Sequence, residues 1–507
     1  MTLFMASSCR HNGLMDRSII SPDDQSKTGP DFLQLNIGDA PAGGRADWLA
    51  RQLRLAVADG RLPVGTRLPA SRVLAAELGV SRGVVTEAYQ RLTEDGHVIG
   101  RSRAGTTVVA VPALAAPAAP GDRPPAASLF STDPGVEIFD AMRAAPARID
   151  LSPGLPDLAA FPRAAWLRAE RAVLDHLSPA DLAYGDPQGV PALRQAVASW
   201  LARTRGIRAD PAEVIIVAGV SQAIGLLSQV LRPDGITAVA VEEPGSLGVR
   251  QHLRNWGMDT PPVAVDAEGL RVDCLRATGA RAVMVTPAHQ FPTGVVLSGP
   301  RRHELMQWAH DGSLIIEDDY DAEHRYDRPP VPALRAMLGD QVCYAGSVSK
   351  LLAPALRLGW VLPSPQYRTA LLNAKRNADL GNAALPQLVL ARLIDTGELE
   401  RQLRFLRRRH RRRRDAMIEA IRTHLPGAVV HGAAAGLHLM ITFPAAFADT
   451  DLAAAALARG VKVHPLSWHG QLRHEPGLIL GYAARTPVDI AAAVAVLGDL
   501  AARPSRP

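Results

Sequence analysis

Hydrophobic positions in the first hundred residues fall into three short helical periods followed by an alternating stretch. Residues 46–59 put Leu49, Leu53, Ala56 and Val57 on one helical face, and GRLPVGTRLP then stops the helix with glycine and proline. Ser71 is placed to cap a second helix through Leu78, and Gly79 makes the turn. Ser81 is placed to cap a third helix to about Glu94 with Val84, Val85, Ala88 and Leu92 facing inward. The segment DGHVIGRSRAGTTVVA pairs two β-prone runs around a basic turn, which is how a wing is built. The pattern predicts an N-terminal winged helix-turn-helix, α with a small β wing.

From Val111 to about Pro146 the composition changes to a Pro/Ala/Gly stretch that is expected to hold neither a helix nor a central strand. Beyond it, β-rich runs at 214–218, 236–241, 282–286, 313–316 and 342–346 alternate with helical segments. That alternation predicts a mainly parallel sheet wrapped by helices. The expected organisation is an unstructured tail (1–31), the winged module (32–110), a linker (111–147) and a large α/β domain (148–503).

A chain of 507 residues is too long for one ordinary core, so at least two domains are expected. Apolar residues make up 47% and no run approaches the roughly 18 to 20 residues of a membrane span, which predicts a soluble protein. The first twenty residues lack the apolar core and cleavage site of a secretory signal. Cys9, Cys274 and Cys343 form neither a disulfide framework nor a metal-ligand pattern, so a reducing, cytoplasmic location and no metal are expected. The net charge of +6 is small for this length, but residues 45–111 hold ten arginines against six acids, a net of +4. A polyanionic partner for this segment is the natural reading.

In a winged module the third helix presents its start to base edges, while the second helix and the wing hold phosphates. Position therefore singles out Ser81, Arg82 and Thr86 for bases, and Arg72, Arg101 and Arg103 for phosphates. Any one of these residues also reads as a cap or a solvated charge. The whole run GRLPVGTRLPASRVLAAELGVSRGVVTEAYQRLTEDGHVIGR closely resembles the winged domain of the GntR family of bacterial transcription factors, over roughly 46–110. The resemblance implies double-stranded operator DNA as partner and the same six residues as contacts. Gly83 stands where members often carry a hydroxyl.

The segment SVSKLLAPALRLG (347–359) follows a predicted buried strand. A lysine amine reacts only when neutral, and burial favours the neutral form. Lys350 sits at the strand end, and Ser347, Ser349 and Arg357 bring the hydroxyls and guanidinium that hold a phosphate dianion. In IIEDDYDAEHRY, Asp318 ends a β-run and Tyr320 lies two residues on, so a carboxylate could hold a ring-nitrogen proton and a phenol a ring oxygen. An acidic loop is the competing reading of EDDYD. In VAGVSQAIGLL the amides near Gly219, Val220 and Ser221 open a helix and could cradle phosphate.

Together with TPAHQFPTG (286–294) and YGDPQG (184–189), these motifs resemble fold-type I aminotransferases over roughly 148–503. Their fusion to the winged module is similar to the MocR subfamily of GntR regulators, of which HQFPTG, EDDYD and SKLLAPALRLG are especially typical. The resemblance implies a pyridoxal 5'-phosphate fold of type I with a smaller C-terminal α+β subdomain. It implies Lys350 as the covalent anchor, Asp318 on the pyridine nitrogen, Tyr320 on the phenolic oxygen, and Ser347 with Arg357 on phosphate. It also implies Tyr184 reaching the phosphate of a partner subunit in a head-to-tail homodimer, and His289 or Gln290 approaching the ring.

Two positions depart from the aminotransferase pattern. Ser246 replaces an aromatic in VEEPGSLG, and Ile479 stands where many members use an arginine to clamp the substrate carboxylate. Arg250 is a conceivable substitute, although a lone arginine is more often a surface charge. The expectation is a regulator whose domain senses cofactor or a small amine or amino-acid effector without efficient transamination. An active aminotransferase with an appended DNA module is the alternative, and a DNA-binding protein that has lost its cofactor is a third. The run RRRHRRRR (407–414) is read as a solvated or subunit-facing helix, with DNA contact as the minor option.

Overall fold

The computed structural model describes residues 33–109, except 34, 42 and 102–104, and residues 129–502, except 131–133, 327–330 and 445–446. The expected tail and residues 111–128 of the expected linker lie outside the described residues. The chain divides into two compact units with the boundary after Arg123.

The first unit holds helices Arg45–Ala58, Ser71–Glu77 and Arg82–Glu94, then antiparallel strands Val98–Arg101 and Gly105–Val108. Leu49, Leu53, Ala56 and Val57 are buried against Leu74, Val85, Ala88 and Leu92 in one core. Tyr89, not Val84, completes the inner face of the third helix, because its hydroxyl donates 2.8 Å to the Pro69 carbonyl while its ring stays in the core. Ser71 is not a cap: the second helix is capped at Ala70, and the Ser71 hydroxyl accepts from Arg82 Nε at 3.3 Å. Ser81 does occupy the N-cap of the third helix, without a side-chain cap bond. The turn read as a helix stop has a second use, since Leu68 N donates 2.8 Å to Thr106 and Val108 N donates 3.0 Å to Thr66, extending the wing sheet.

The second unit is built on an eight-stranded sheet. Its order is Ile215–Val217, Gly359–Leu362, Val342–Ser347, Leu314–Asp319, Ala282–Val285, Ala240–Glu243, Pro262–Asp266 and Gly269–Leu270. Neighbours from Val342–Ser347 through Pro262–Asp266 run parallel. Gly359–Leu362 is inserted antiparallel between Val342–Ser347 and Ile215–Val217, and Gly269–Leu270 turns back on Pro262–Asp266. Alternate residues pack on opposite faces: Ile215 and Val217 lie in one core, Ile216 in another. Helices cover both faces, which is why these strands read as unbroken apolar runs. Each fully buried Ile or Leu contributes roughly 1.5–3 kcal/mol.

A smaller antiparallel sheet, in the order Val429–His431, His438–Thr442, Gly477–Gly481 and His464–Pro465, carries helices Asp449–Ala458 and Pro487–Ala501 and the long helix Glu398–His424. Residues 134–147, expected as linker, instead contribute helix Ile138–Ala144 to this subdomain. Ile138, Met142 and Phe130 are buried in its core, and this apolar spacing outweighs the surrounding Pro and Ala content.

The basic run 407–414 lies within Glu398–His424 and is solvated only in part: Arg408, Arg411 and Arg412 are exposed, and the other arginines are wholly or partly buried. Arg413 is 6% exposed and donates 2.7 Å to Asp157 and also to the Ala483 carbonyl, while Arg409 donates 2.8 Å to the same carboxylate. Arg407 donates 2.6 Å to the Glu323 carbonyl, Arg411 3.0 Å to Tyr326 and Arg414 2.8 Å to Ala433. Among the described residues no helix is long and apolar enough to cross a membrane.

Candidate functional site

Parallel strands deliver their carboxyl ends to one edge of a sheet, where ligands bind. Strand Leu314–Asp319 brings Asp318 there, and Val342–Ser347 brings Ser347, with Ser349 and Lys350 in the turn that follows. After Ile215–Val217, Gly219 caps helix Val220–Leu231 with φ of 87°, a backbone conformation that favours glycine, and the Arg357 guanidinium lies beside it. Arg357, itself at φ 49°, donates to the Ala218 carbonyl. The first amides of that helix have no intrahelical acceptor and favour an anion. Gly219, Val220, Ser221, Asp318 and Tyr320 line one cavity of about 510 Å³, and Ser347, Ser349, Lys350 and Arg357 line it too.

Lys350 Nζ donates 2.5 Å to the Gly154 carbonyl, and burial lowers its pKa although Asp321 and Asp318 oppose this. Asp318 is 8% exposed and its Oδ1 has no hydrogen-bond partner. Burial, then the charges of Asp319 and Asp321, push this carboxyl up to about 7, with Lys350 pulling the other way. Tyr320 shares its hydroxyl with His289 Nδ1 at 3.0 Å, and the same nitrogen lies 2.9 Å from Asp321. His324 Nε2 donates 3.2 Å to the backbone carbonyl of Lys350.

Several expected residues stand elsewhere. His289 and Gln290 are each 1% exposed but outside the lining, which is formed there by Phe291. Gln290 holds the loop instead, donating 2.8 Å to Pro244 and accepting 2.6 Å from Thr293 Oγ1. Arg250 is neither a surface charge nor available as a carboxylate clamp. It is 3% exposed and donates to the carbonyls of Gly245, Trp468 and His469. Ile479 lies fully buried beside Met440 and Leu466, and Ser246 caps helix Leu247–Asn255 from the cavity wall. Tyr184 is 93% exposed and outside the cavity.

Other lining groups carry no local motif. Gly154 comes from the segment before the large sheet, and His438, His464 and His469 come from the smaller subdomain. Glu242 is 7% exposed, accepts 2.6 Å from Thr286 Oγ1 and is raised to about 7 by burial.

In the first unit Arg72, Ser81, Arg82 and Thr86 are all exposed. Arg54, Arg61 and Arg91 pair with carboxylates of their own unit, whereas Arg72 and Arg82 make no ion pair among the described residues. Arg101 ends its strand opposite Gly105, while its side chain and all of Arg103 lie outside the described residues.

Residues 46–108 match the bacterial regulatory proteins of the gntR family, and residues 148–497 match aminotransferase class I and II. The HTH-type transcriptional regulator YhdI of Bacillus subtilis is 34% identical over 443 residues, covering 86% of this chain and 91% of that protein. The probable rhizopine catabolism regulatory protein MocR of Rhizobium meliloti is 33% identical over 447 residues, covering 87% and 90%. Kynurenine aminotransferase of Pyrococcus horikoshii, solved with PMP, superposes with a TM-score of 0.66 at 26% identity, over 72% of this chain and 93% of that one.

Proposed function

The chain belongs to the GntR family of bacterial regulatory proteins, in the MocR-like branch whose second domain is an aminotransferase of class I and II, and from this we propose that its cavity senses a small amine. It is a DNA-binding transcriptional regulator with an aminotransferase-like domain of fold type I.

The observation that carries the proposal is the unpaired Oδ1 of Asp318, buried in the wall of the cavity that Lys350 lines. A buried carboxyl without a partner is costly unless a cation meets it, and a protonated pyridine nitrogen is such a cation. The residues therefore fit pyridoxal 5'-phosphate. Asp318 would hold the ring nitrogen, Tyr320 the phenolic oxygen, and Lys350 the carbon that reacts with amines. Ser347, Ser349, Arg357 and the amides of Gly219, Val220 and Ser221 would hold phosphate. When bound, the group supplies an aldehyde that condenses reversibly with primary amines.

The chain's own residues set the terms of that exchange. Burial favours the neutral amine of Lys350, and His324 holds its backbone carbonyl. Asp318 keeps the ring nitrogen protonated once paired. Ile479 and the engaged Arg250 leave the usual carboxylate clamp unfilled, which favours binding over turnover. DNA is read by Ser81, Arg82 and Thr86 and held by Arg72, Arg101 and Arg103. The chain acts as a homodimer, with the exposed Tyr184 offered to the partner's phosphate site. A ligand regulates by binding one domain arrangement more tightly than another.

Purified protein should retain the absorbance of bound pyridoxal phosphate through dialysis, and Lys350→Ala should lose or shift that band. Identical spectra would sink the cofactor reading. Operator mobility shifts that no primary amine alters would sink the sensor reading.

A further inference from the structure

One wall of the cavity, an aromatic annex, gathers Phe139, Phe291, His438, His464 and His469, whose rings neighbour one another. His469 is 2% exposed. Its Nδ1 lies 3.4 Å from the Leu247 amide, and its Nε2 has no hydrogen-bond partner. His464, 5% exposed, is stacked on His469 with ring centroids 6.1 Å apart and an interplanar angle of 15°, and its Nδ1 is also unpartnered. His438 is differently placed, since its Nε2 donates 3.2 Å to the Pro292 carbonyl. Two buried imidazoles in the wall thus have unmatched polar atoms, and an unmatched buried polar atom is costly unless a ligand meets it.

The annex offers little to an anion. Burial pushes His464 down to about 4 and His438 to about 3, and it holds His469 well below its ordinary value. Neighbouring imidazoles and Arg250 reinforce the neutral state of His469. Arg250 itself is engaged by carbonyls, and the position of the usual clamp is the apolar Ile479. Arg143 lines the rim, but its side chain is 69% exposed and already paired with Asp140. A carboxylate desolvated against neutral imidazoles and two phenyl rings would be left without a charge partner.

We propose that the annex receives the far end of the effector and selects an amine that carries a neutral hydroxyl, able both to donate and to accept, in place of a carboxylate, with the unpartnered His469 Nε2 as its hydrogen-bond partner. This rests on the reading of Lys350 as the cofactor lysine and of the cavity as an amine sensor.

The test uses the full-length protein with its cofactor bound. Three series of about two to six carbons are titrated against cofactor absorbance: ω-amino alcohols, the matching ω-amino acids, and plain alkylamines. The amino alcohol of optimal length should bind about tenfold more tightly than both its matched acid and its matched alkylamine, the worth of one satisfied hydrogen bond. In His469→Ala the ratio of amino alcohol to alkylamine affinity should collapse toward one, and His469→Asn, which keeps both a donor and an acceptor, should restore part of it. An amino acid that binds more tightly than its alcohol overturns the proposal, and the unmodified protein alone suffices for that result. An unchanged ratio in a folded His469→Ala also overturns it. If none of the three series perturbs the bound cofactor, the amine reading of the whole site falls, which is a distinguishable failure.

Discussion

In the winged unit Arg72 and Arg82 stand exposed without a carboxylate partner among the described residues, whereas the denser run 407–414 lies on a helix whose arginines reach Asp157 and the carbonyls of Glu323, Tyr326, Ala433 and Ala483. The helical repeat explains the second case. Arg407, Arg411 and Arg414 share one stripe, Arg409 and Arg413 another, and Arg408 with Arg412 faces out. Charge density along a sequence therefore does not measure charge available to DNA. What counts is whether the fold closes acceptors around each guanidinium.

The sharpest test of this contrast is Arg413→Ala, which removes a buried partner from the 3%-exposed Asp157. Denaturant unfolding should show a loss of about 1.5–3 kcal/mol, the worth of a hydrogen bond to a charged group, since Arg409 still pairs with Asp157. A loss below about 1 kcal/mol would mean that the basic helix is solvated after all. Arg82→Ala should do the opposite. Operator affinity measured at fixed salt should fall by about 1–3 kcal/mol, while stability stays within about 0.5 kcal/mol.

An acid in the cavity extends the comparison to buried negative charge. Asp318 is raised to about 7, so the cofactor-free native state holds a proton that the unfolded chain releases near pH 4. Its contribution to stability is present below about pH 4 and is lost as pH rises through about 7. Thermal melts of the cofactor-free protein should therefore decline between pH 5 and pH 8, and Asp318→Asn should reduce that decline by about 2 to 4 °C. Parallel melting curves for the two proteins would refute the assignment. The smallest effect is expected from Arg408→Ala with Arg412→Ala: stability within about 0.5 kcal/mol and an unaltered salt slope of DNA binding, whereas Arg72→Ala lowers that slope by about 0.9.

What the sequence revealed and what it hid follow the same physical line. Lys350, Asp318, Ser347 and Gly219 are legible because each sits within a few residues of a strand end, so a local pattern positions it. His464 and His469 reach the same cavity from the smaller subdomain, more than a hundred residues away, and no local period announces that meeting. Gly359–Leu362 escaped notice as a strand because its four residues directly follow the ligand-like run and cross the sheet antiparallel. The helix Ile138–Ala144 was masked by the proline and alanine around it. Arg250 and the run 407–414 were misjudged because the acceptors that enclose them are backbone carbonyls or, for Arg409 and Arg413, the Asp157 carboxylate 252 and 256 residues away, which no local side-chain pattern records.

The carbonyl that receives the Lys350 amine belongs to Gly154, and the segment carrying it is moored on two sides. Leu151 bonds to Lys462 and Gly481 in the smaller subdomain, and Asp157 is gripped by Arg409 and Arg413 of the long helix. The amine of Lys350 is thus anchored to a stretch of chain that is itself held by the smaller subdomain and by the long helix, so both help to set its position.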